Sequence, residues 1–274
     1  MLRDFGDFQT PPALVDGVLE CLGPVGERWP RVLEPTCGKG NFIEGLLRSY
    51  APPAEIQGME LQESHFKTAL KFQDASANSK VIVRRANIFD FDLRHDILWN
   101  GSGPLLVVGN PPWVTSAELG TLGSRNLPGK SNIKNLSGME AMTGSSNFDI
   151  AEYIWLKLIR ELSAERVTVA LLCKTSVARN VLRFAFEADL PITHASIREI
   201  DAKKWFGASV EACLFCVEAG PGENAMRRKF SRTFRHRIRR PQWALRTAVW
   251  SGTLKVISGF LLLMEFARCR GDRG

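Results

Sequence analysis

The chain lacks any apolar stretch long enough to cross a bilayer. No uninterrupted apolar run exceeds six residues, far short of the roughly 18 that a membrane helix needs. Its first residues, M-L-R-D-F-G-D-F, set acids where a secretion signal is apolar, so export is not expected. There is no internal repeat and no low-complexity tract. Histidine is scarce. His65, His95, His194 and His236 are dispersed without ligand spacing, and no metal is expected. The six cysteines (Cys21, Cys37, Cys173, Cys213, Cys216, Cys269) are scattered, mostly in apolar stretches. They read as reduced thiols of an intracellular, cytoplasmic protein. Cys213-Leu-Phe-Cys216 has CxxC spacing but no second pair and no His partner, whereas structural zinc takes four ligands.

What is present is ample material for a core. The 274 residues are 45% hydrophobic, enough for one large domain or two small ones and too apolar for a disordered chain. The net charge of +7 is uneven. Thirteen of the 36 Lys and Arg, but two of the 29 acids, lie from Arg227 onward, so residues 1–226 carry about −4 and the rest +11. A division into a domain of residues 1–225 and a basic tail of 226–274 follows.

Short apolar runs alternate with helical patterns through the first part. Strands are predicted at 31–34, 56–60, 81–85, 105–109, 167–173, 192–200 and 212–218. Helices are predicted at 12–22, 41–49, 63–72, 149–162 and 176–188, with Asp149 well placed at a helix start. The alternation predicts a doubly wound, mostly parallel α/β sheet with helices on both faces. Between residues 114 and 148 the periodicity vanishes into Gly, Ser and Asn, with Arg125, Lys130 and Lys134 among them. So long a loop is functional or disordered. If functional, it would order over a polymeric substrate, its cations on phosphates.

Two motifs carry chemistry. In V-L-E-P-T-C-G-K-G-N-F (32–42), a short strand runs into Gly38-x-Gly40 and then a helix. Glycines let the backbone approach a ligand, and the helix start offers free N–H groups. Glu34 closes the first strand, and Glu60 closes the next in Q-G-M-E. An acid about 20 residues after a glycine turn suits ribose hydroxyls. Phe42 and Ile43 stand where a third glycine would complete a dinucleotide fingerprint, so a mononucleoside-type cofactor is favoured over NAD. In L-L-V-V-G-N-P-P-W (105–113), an apolar strand delivers Asn110, Pro111, Pro112 and Trp113 to the carboxyl end of the sheet, where such folds place ligands. Two prolines forbid further pairing and stiffen the bend. The Asn110 side-chain oxygen and the Pro111 carbonyl become two rigid acceptors for a planar amine, and Trp113 offers a stacking face.

These motifs resemble those of the class I S-adenosylmethionine-dependent amino-methyltransferases of DNA, specifically the N6-adenine enzymes of restriction–modification systems. The resemblance covers roughly residues 5–218 and implies the Rossmann-like class I fold with a seven-stranded sheet. E-P-T-C-G-K-G-N-F matches the first cofactor motif and N-P-P-W the catalytic one. F-G-D-F-Q-T-P-P (5–12) matches the segment ahead of the first strand that holds the methionine end of S-adenosyl-L-methionine. By that match Thr10 and Pro11 line the methionine site, with Thr36 and Cys37 beside it, and Glu60 takes the ribose hydroxyls. In R-A-N-I-F-D-F-D (85–92), Asn87 and Ile88 align with the contact to the cofactor's adenine. The family usually has Asp there, and a shift would make Asp90 the contact. D-A-K-K-W-F-G resembles the region that gives an aromatic to the target base, with Phe206 the candidate and a core role the alternative.

The residues alone point the same way. Acceptors at Asn110 and Pro111 would localise the lone pair of an exocyclic amine for in-line attack on a methyl group, by positioning and electrostatics. The base would have to leave the duplex. No Pro-Cys dipeptide occurs, which sets aside a cysteine nucleophile on cytosine. DNA is the expected partner, with a specificity subunit or cognate restriction endonuclease as a second. Methylation of an RNA base, of a protein glutamine or of the cytosine N4 amine stays open, as does a non-catalytic nucleic-acid-binding remnant. The tail holds R-R-K-F-S-R-T-F-R-H-R-I-R-R (227–240), then Trp243, Trp250 and an apolar patch at 254–264. It reads either as a phosphate-gripping arm or as an out-of-frame or truncated end.

Overall fold

A computed structural model describes residues 8–73, 75–115 and 149–221, together with the backbone of 255–257 and 260–262. The chain opens with helix α1 (Pro12–Leu22) and the single turn α2 (Val25–Arg28). Strand β1 (Arg31–Glu34), helix α3 (Asn41–Arg48), β2 (Glu55–Glu60), α4 (Glu63–Ala69), β3 (Lys80–Arg85) and β4 (Leu105–Gly109) follow. Next come α5 (Ile150–Leu162), β5 (Val167–Lys174), α6 (Thr175–Glu187), β6 (Ile192–Ile200), α7 (Ala202–Phe206) and β7 (Ala212–Ala219). Two further short strands, β8 (Lys255–Ile257) and β9 (Phe260–Leu262), pair antiparallel with each other.

The seven-stranded sheet has the order β3-β2-β1-β4-β5-β7-β6. The first five strands are parallel, and β7 runs antiparallel to both its neighbours. The doubly wound, mostly parallel sheet expected from the sequence is the one that forms. The central strands β1, β2 and β4 are buried along their whole length, as sheets covered on both faces require. Successive side chains feed opposite layers. Leu33, Val107 and Leu171 join a layer with α5 and α6, while Val32, Leu106, Val108 and Leu172 join the layer with α1 and α3.

Local chemistry sets the helix ends. Pro12, which has no backbone N–H, opens α1 at a position where an N–H would find no partner within the helix. Gly40, left-handed at φ +86°, opens α3. The Asp149 carboxylate accepts the Ala151 N–H at 3.0 Å and caps α5. Helices α2 and α7, of four and five residues, were not expected from periodicity.

Cys213 and Cys216 lie three residues apart on β7, so they point to opposite faces, Cys213 into one layer and Cys216 against the other. They cannot share one ion. Cys37, Cys173, Cys213 and Cys216 are free thiols. Cys21, on α1, is disulfide-bonded, so the expectation of a reduced thiol is corrected there. Among the described residues no helix is long and apolar enough to cross a membrane. The loop reading, with Arg125, Lys130 and Lys134, lies outside the described residues, as do the basic run 227–240, Trp243 and Trp250.

Trp155 is fully buried and meets the Phe215 ring at 4.4 Å between centroids. Trp155→Ala is expected to cost about 3–5 kcal/mol in urea unfolding, the usual range for emptying a large aromatic site.

Candidate active site

The strand order reverses direction between β1 and β4, and a cleft opens at their carboxyl ends. It encloses about 300 Å³. Its floor is the turn after β1. The Cys37 N–H bonds the Met59 carbonyl at 2.7 Å, and the Gly40 N–H bonds the Cys37 carbonyl at 2.8 Å. Gly38 and Gly40 are both left-handed, at φ +54° and +86°. A side chain at Gly40 would also strike the Phe72 ring, so both strain and space demand glycine there.

Glu60 ties this turn to the end of β2. One carboxylate oxygen accepts the Gly38 N–H at 2.8 Å, and the other accepts the Gln62 N–H at 2.7 Å. Each oxygen keeps a further lone pair for a ligand hydroxyl. Glu34 stands at the end of β1, 2% exposed. Burial pushes its carboxyl well above the usual carboxylate range; the Ile43 N–H opposes the shift, and the charge of Glu60 adds to it. Burial therefore favours the protonated form of Glu34, and Glu60 is the acid with two backbone donors. The Cys37 thiol is also pushed up, chiefly by burial and then by these two acids, so it is not a thiolate nucleophile.

Three buried oxygens in the cleft have no hydrogen-bond partner: Glu34 Oε2, Thr36 Oγ1 and Asn110 Oδ1. Native proteins rarely leave such atoms unpaired. Asn110 is held by its other atom, because Nδ2 donates to the Phe8 carbonyl at 3.2 Å. That bond aims Oδ1 as the open acceptor.

Of the residues singled out in the sequence, Thr10, Glu34, Thr36, Cys37, Gly38, Glu60, Asn87, Ile88, Asn110 and Pro112 line this one cleft. Pro11 is instead the cap residue before α1. Gly40 shapes the turn from outside the lining, and Pro111 is buried in the bend. Trp113 is 5% exposed, its indole N–H on the Leu172 carbonyl at 3.3 Å. Phe206 meets it edge to face at 5.1 Å. Neither ring lines the cleft. Asn87 makes a local turn, its Oδ1 accepting the Phe89 N–H at 3.2 Å and its Nδ2 donating to Asp90 at 2.8 Å. Asp90 is exposed and off the lining.

The sequence reading missed Phe8, Gln9, Asn41, Gln62 and His65, which also line the cleft. Asn41, directly after the glycine turn, and Gln62, two residues past Glu60, had a positional signal. His65 reaches the cleft only through the placement of α4.

No family model matches the chain. It is 36% identical over 212 residues to the type II methyltransferase M.NspV of Nostoc sp., covering 77% of this chain and 44% of that protein. It is 34% identical over 112 residues to the type II methyltransferase M.CvrRI of Paramecium bursaria Chlorella virus, covering 41% of this chain and 25% of that protein. The chain thus spans less than half the length of either relative. Among solved structures, a Listeria monocytogenes protein assigned to the class I S-adenosylmethionine-dependent methyltransferases superposes with a TM-score of 0.56 at 14% identity, over 80% of this chain and 64% of that one. The fold is that of the class I methyltransferases. The likeness to restriction–modification methyltransferases read from the motifs is matched by two relatives that are themselves type II methyltransferases. Within the methyltransferase fold, the cleft occupies the carboxyl edge that the first motif and the N-P-P-W bend share.

A pH consequence follows from Glu34. Its raised pKa means that the folded chain keeps a proton that the unfolded chain releases in the ordinary carboxyl range. Stability contributed by this group therefore falls as pH rises above that range. Glu34→Gln is expected to lose less stability than the unchanged chain as pH rises from the ordinary carboxyl range, about pH 4, in urea unfolding. Parallel pH profiles would show that Glu34 is ionised in the fold.

Proposed function

We propose that this chain carries the catalytic domain of a restriction–modification DNA methyltransferase, which transfers a methyl group from S-adenosylmethionine to the N6 amine of adenine. The observation that carries this reading is the buried Oδ1 of Asn110, without a partner among the described residues, on a residue that lines the same cleft as the cofactor-type turn. The likeness to two type II methyltransferases supports it. The catalytic domain is residues 1–225, and the basic tail is 226–274. Cytoplasmic DNA is the substrate. Sequence choice comes from protein outside the catalytic domain, either a specificity subunit or more of the same polypeptide, and a cognate endonuclease completes the system.

The cleft fits the cofactor. Gly38 and Gly40 hold the turn in a left-handed path where a Cβ would meet Gln9 or Phe72, and Glu34 and Thr36 present unpaired oxygens beside it. Glu60 would take the ribose hydroxyls, and the Asn87–Ile88 corner the adenine. Thr10, Thr36 and Cys37 would hold the methionine end. Once bound, S-adenosylmethionine supplies an electron-poor methyl on a sulfonium.

The chain's own residues then act on the acceptor amine. That amine is a poor nucleophile, because its lone pair is delocalised into the ring. Asn110 Oδ1 and the Pro111 carbonyl accept its two hydrogens, draw the nitrogen toward a tetrahedral shape and localise the pair. Pro111 and Pro112 keep the two acceptors from relaxing away. The catalysis is positioning and fixed dipoles, with the work concentrated in two oxygens.

Asn110→Ala is expected to lower methyl transfer by at least about a hundredfold, the scale for removing one preorganised polar group. Cofactor affinity by calorimetry should stay within about threefold, a difference near 0.6 kcal/mol. The assay is mass spectrometry of nucleosides from DNA incubated with protein and S-adenosylmethionine. N6-methyladenine supports the proposal, N4-methylcytosine replaces the acceptor, and label found only in RNA or protein ends the DNA reading.

A further inference from the structure

Resting on the methyl-transfer reading, we propose that the acceptor subsite is occupied in this structure by the chain's own Phe8, which must swing out before a base can enter. A base's amine has to reach Asn110 Oδ1, the open acceptor. The group already seated against that carboxamide is Phe8, whose carbonyl takes the Asn110 Nδ2 hydrogen at 3.2 Å. The Phe8 ring also sits on both candidate stacking residues, 5.9 Å from Trp113 and 5.6 Å from Phe206, while those two meet each other at 5.1 Å. Trp113 is 5% exposed, so its own ring offers no free face to a base. Phe8 itself is only half-buried and lines the cleft. The three rings form a closed cluster beside the acceptor, of the size and chemistry that would receive a planar base carrying an exocyclic amine.

The residues behind Phe8 show where the segment turns. The Gln9 side-chain oxygen accepts the Lys39 N–H at 3.2 Å, and the Thr10 carbonyl accepts the Asn41 side-chain N–H at 2.8 Å. Both anchor the strap to the glycine turn, on the cofactor side. Phe8 alone reaches across to the acceptor bend. Opening is therefore a local movement of Phe8 about a root at Gln9 and Thr10. The ring swings out, which breaks its two ring contacts but keeps the carbonyl on Asn110 Nδ2 and leaves the cofactor cradle in place. A closed subsite lowers apparent affinity for the base by the fraction of chains that are open.

The test uses the full chain and 2-aminopurine deoxynucleoside, a planar amine whose fluorescence is quenched on stacking. Phe8→Ala keeps the backbone carbonyl and removes the plug. It is expected to bind the probe roughly threefold to tenfold more tightly than the unchanged chain, the span that one aromatic cluster contact commands. Phe8→Leu should fall between them. Affinity for S-adenosylmethionine, measured in parallel, should change by less than about threefold, because Gln9 and Thr10 hold the cofactor side. Equal or weaker probe binding by Phe8→Ala overturns the plug and makes Phe8 a wall of the subsite. If the unchanged chain binds no S-adenosylmethionine, the methyl-transfer reading itself falls, and the plug falls with it.

Discussion

The parallel pairing of β1 with β2 on one side and β4 on the other is the constraint from which the rest of the site follows. It sets Glu34 beside Gly58 and Leu33 beside Val107, so three chain segments leave the sheet at one level. From that level the glycine turn, the Glu60 carboxylate and the Asn110 bend all face a common space. Because these strands are buried on both faces, none can slip by a residue without exchanging the contents of the two core layers. The register is therefore fixed by packing, and the placement of the polar groups is inherited from it.

The two acids at this level show how position divides their roles. Both are carboxyl groups near enough to influence each other. Glu60 has two backbone N–H groups to stabilise its charge, whereas Glu34 has deep burial and one. The cleft thus holds one deeply buried acid that favours its proton and one acid whose oxygens already take backbone N–H groups. A ligand that carries hydroxyls on one side and a charged amino-acid end on the other would find a matching surface.

Much of the architecture was legible because long apolar runs and strand burial carry the same information. Leu-Leu-Val-Val before Gly109 can only be an interior strand, and β4 begins and ends where the run does. Helices α2 and α7 were not legible, since four or five residues span little more than one turn and show no period. The α7 ends did carry signals, an Asp201 cap and a left-handed Gly207, but such signals also occur in plain turns. Ten of the site residues converge because motifs that follow strands inherit the sheet's edge. Trp113 and Phe206 diverge from their expected place for another reason. An aromatic after a bend can face solvent or core, and here a buried carbonyl at Leu172 draws the Trp113 indole inward. Phe8 lay in the F-G-D-F-Q-T-P-P segment read for the cofactor, but nothing there pointed to the acceptor bend, since its ring neighbours lie about a hundred and two hundred residues away along the sequence.

The reversed polarity of β7 has a bearing on any segment that follows it. Val167, where β5 begins, pairs with Ala219, where β7 ends. A peptide departing from Ala219 is thus rooted on the rim opposite the cleft, beneath the sheet. Eight residues of β7, at about 3.3 Å each, give a climb of about 26 Å to the substrate side. Whatever follows Ala219 therefore begins on the side of the sheet away from the reacting groups.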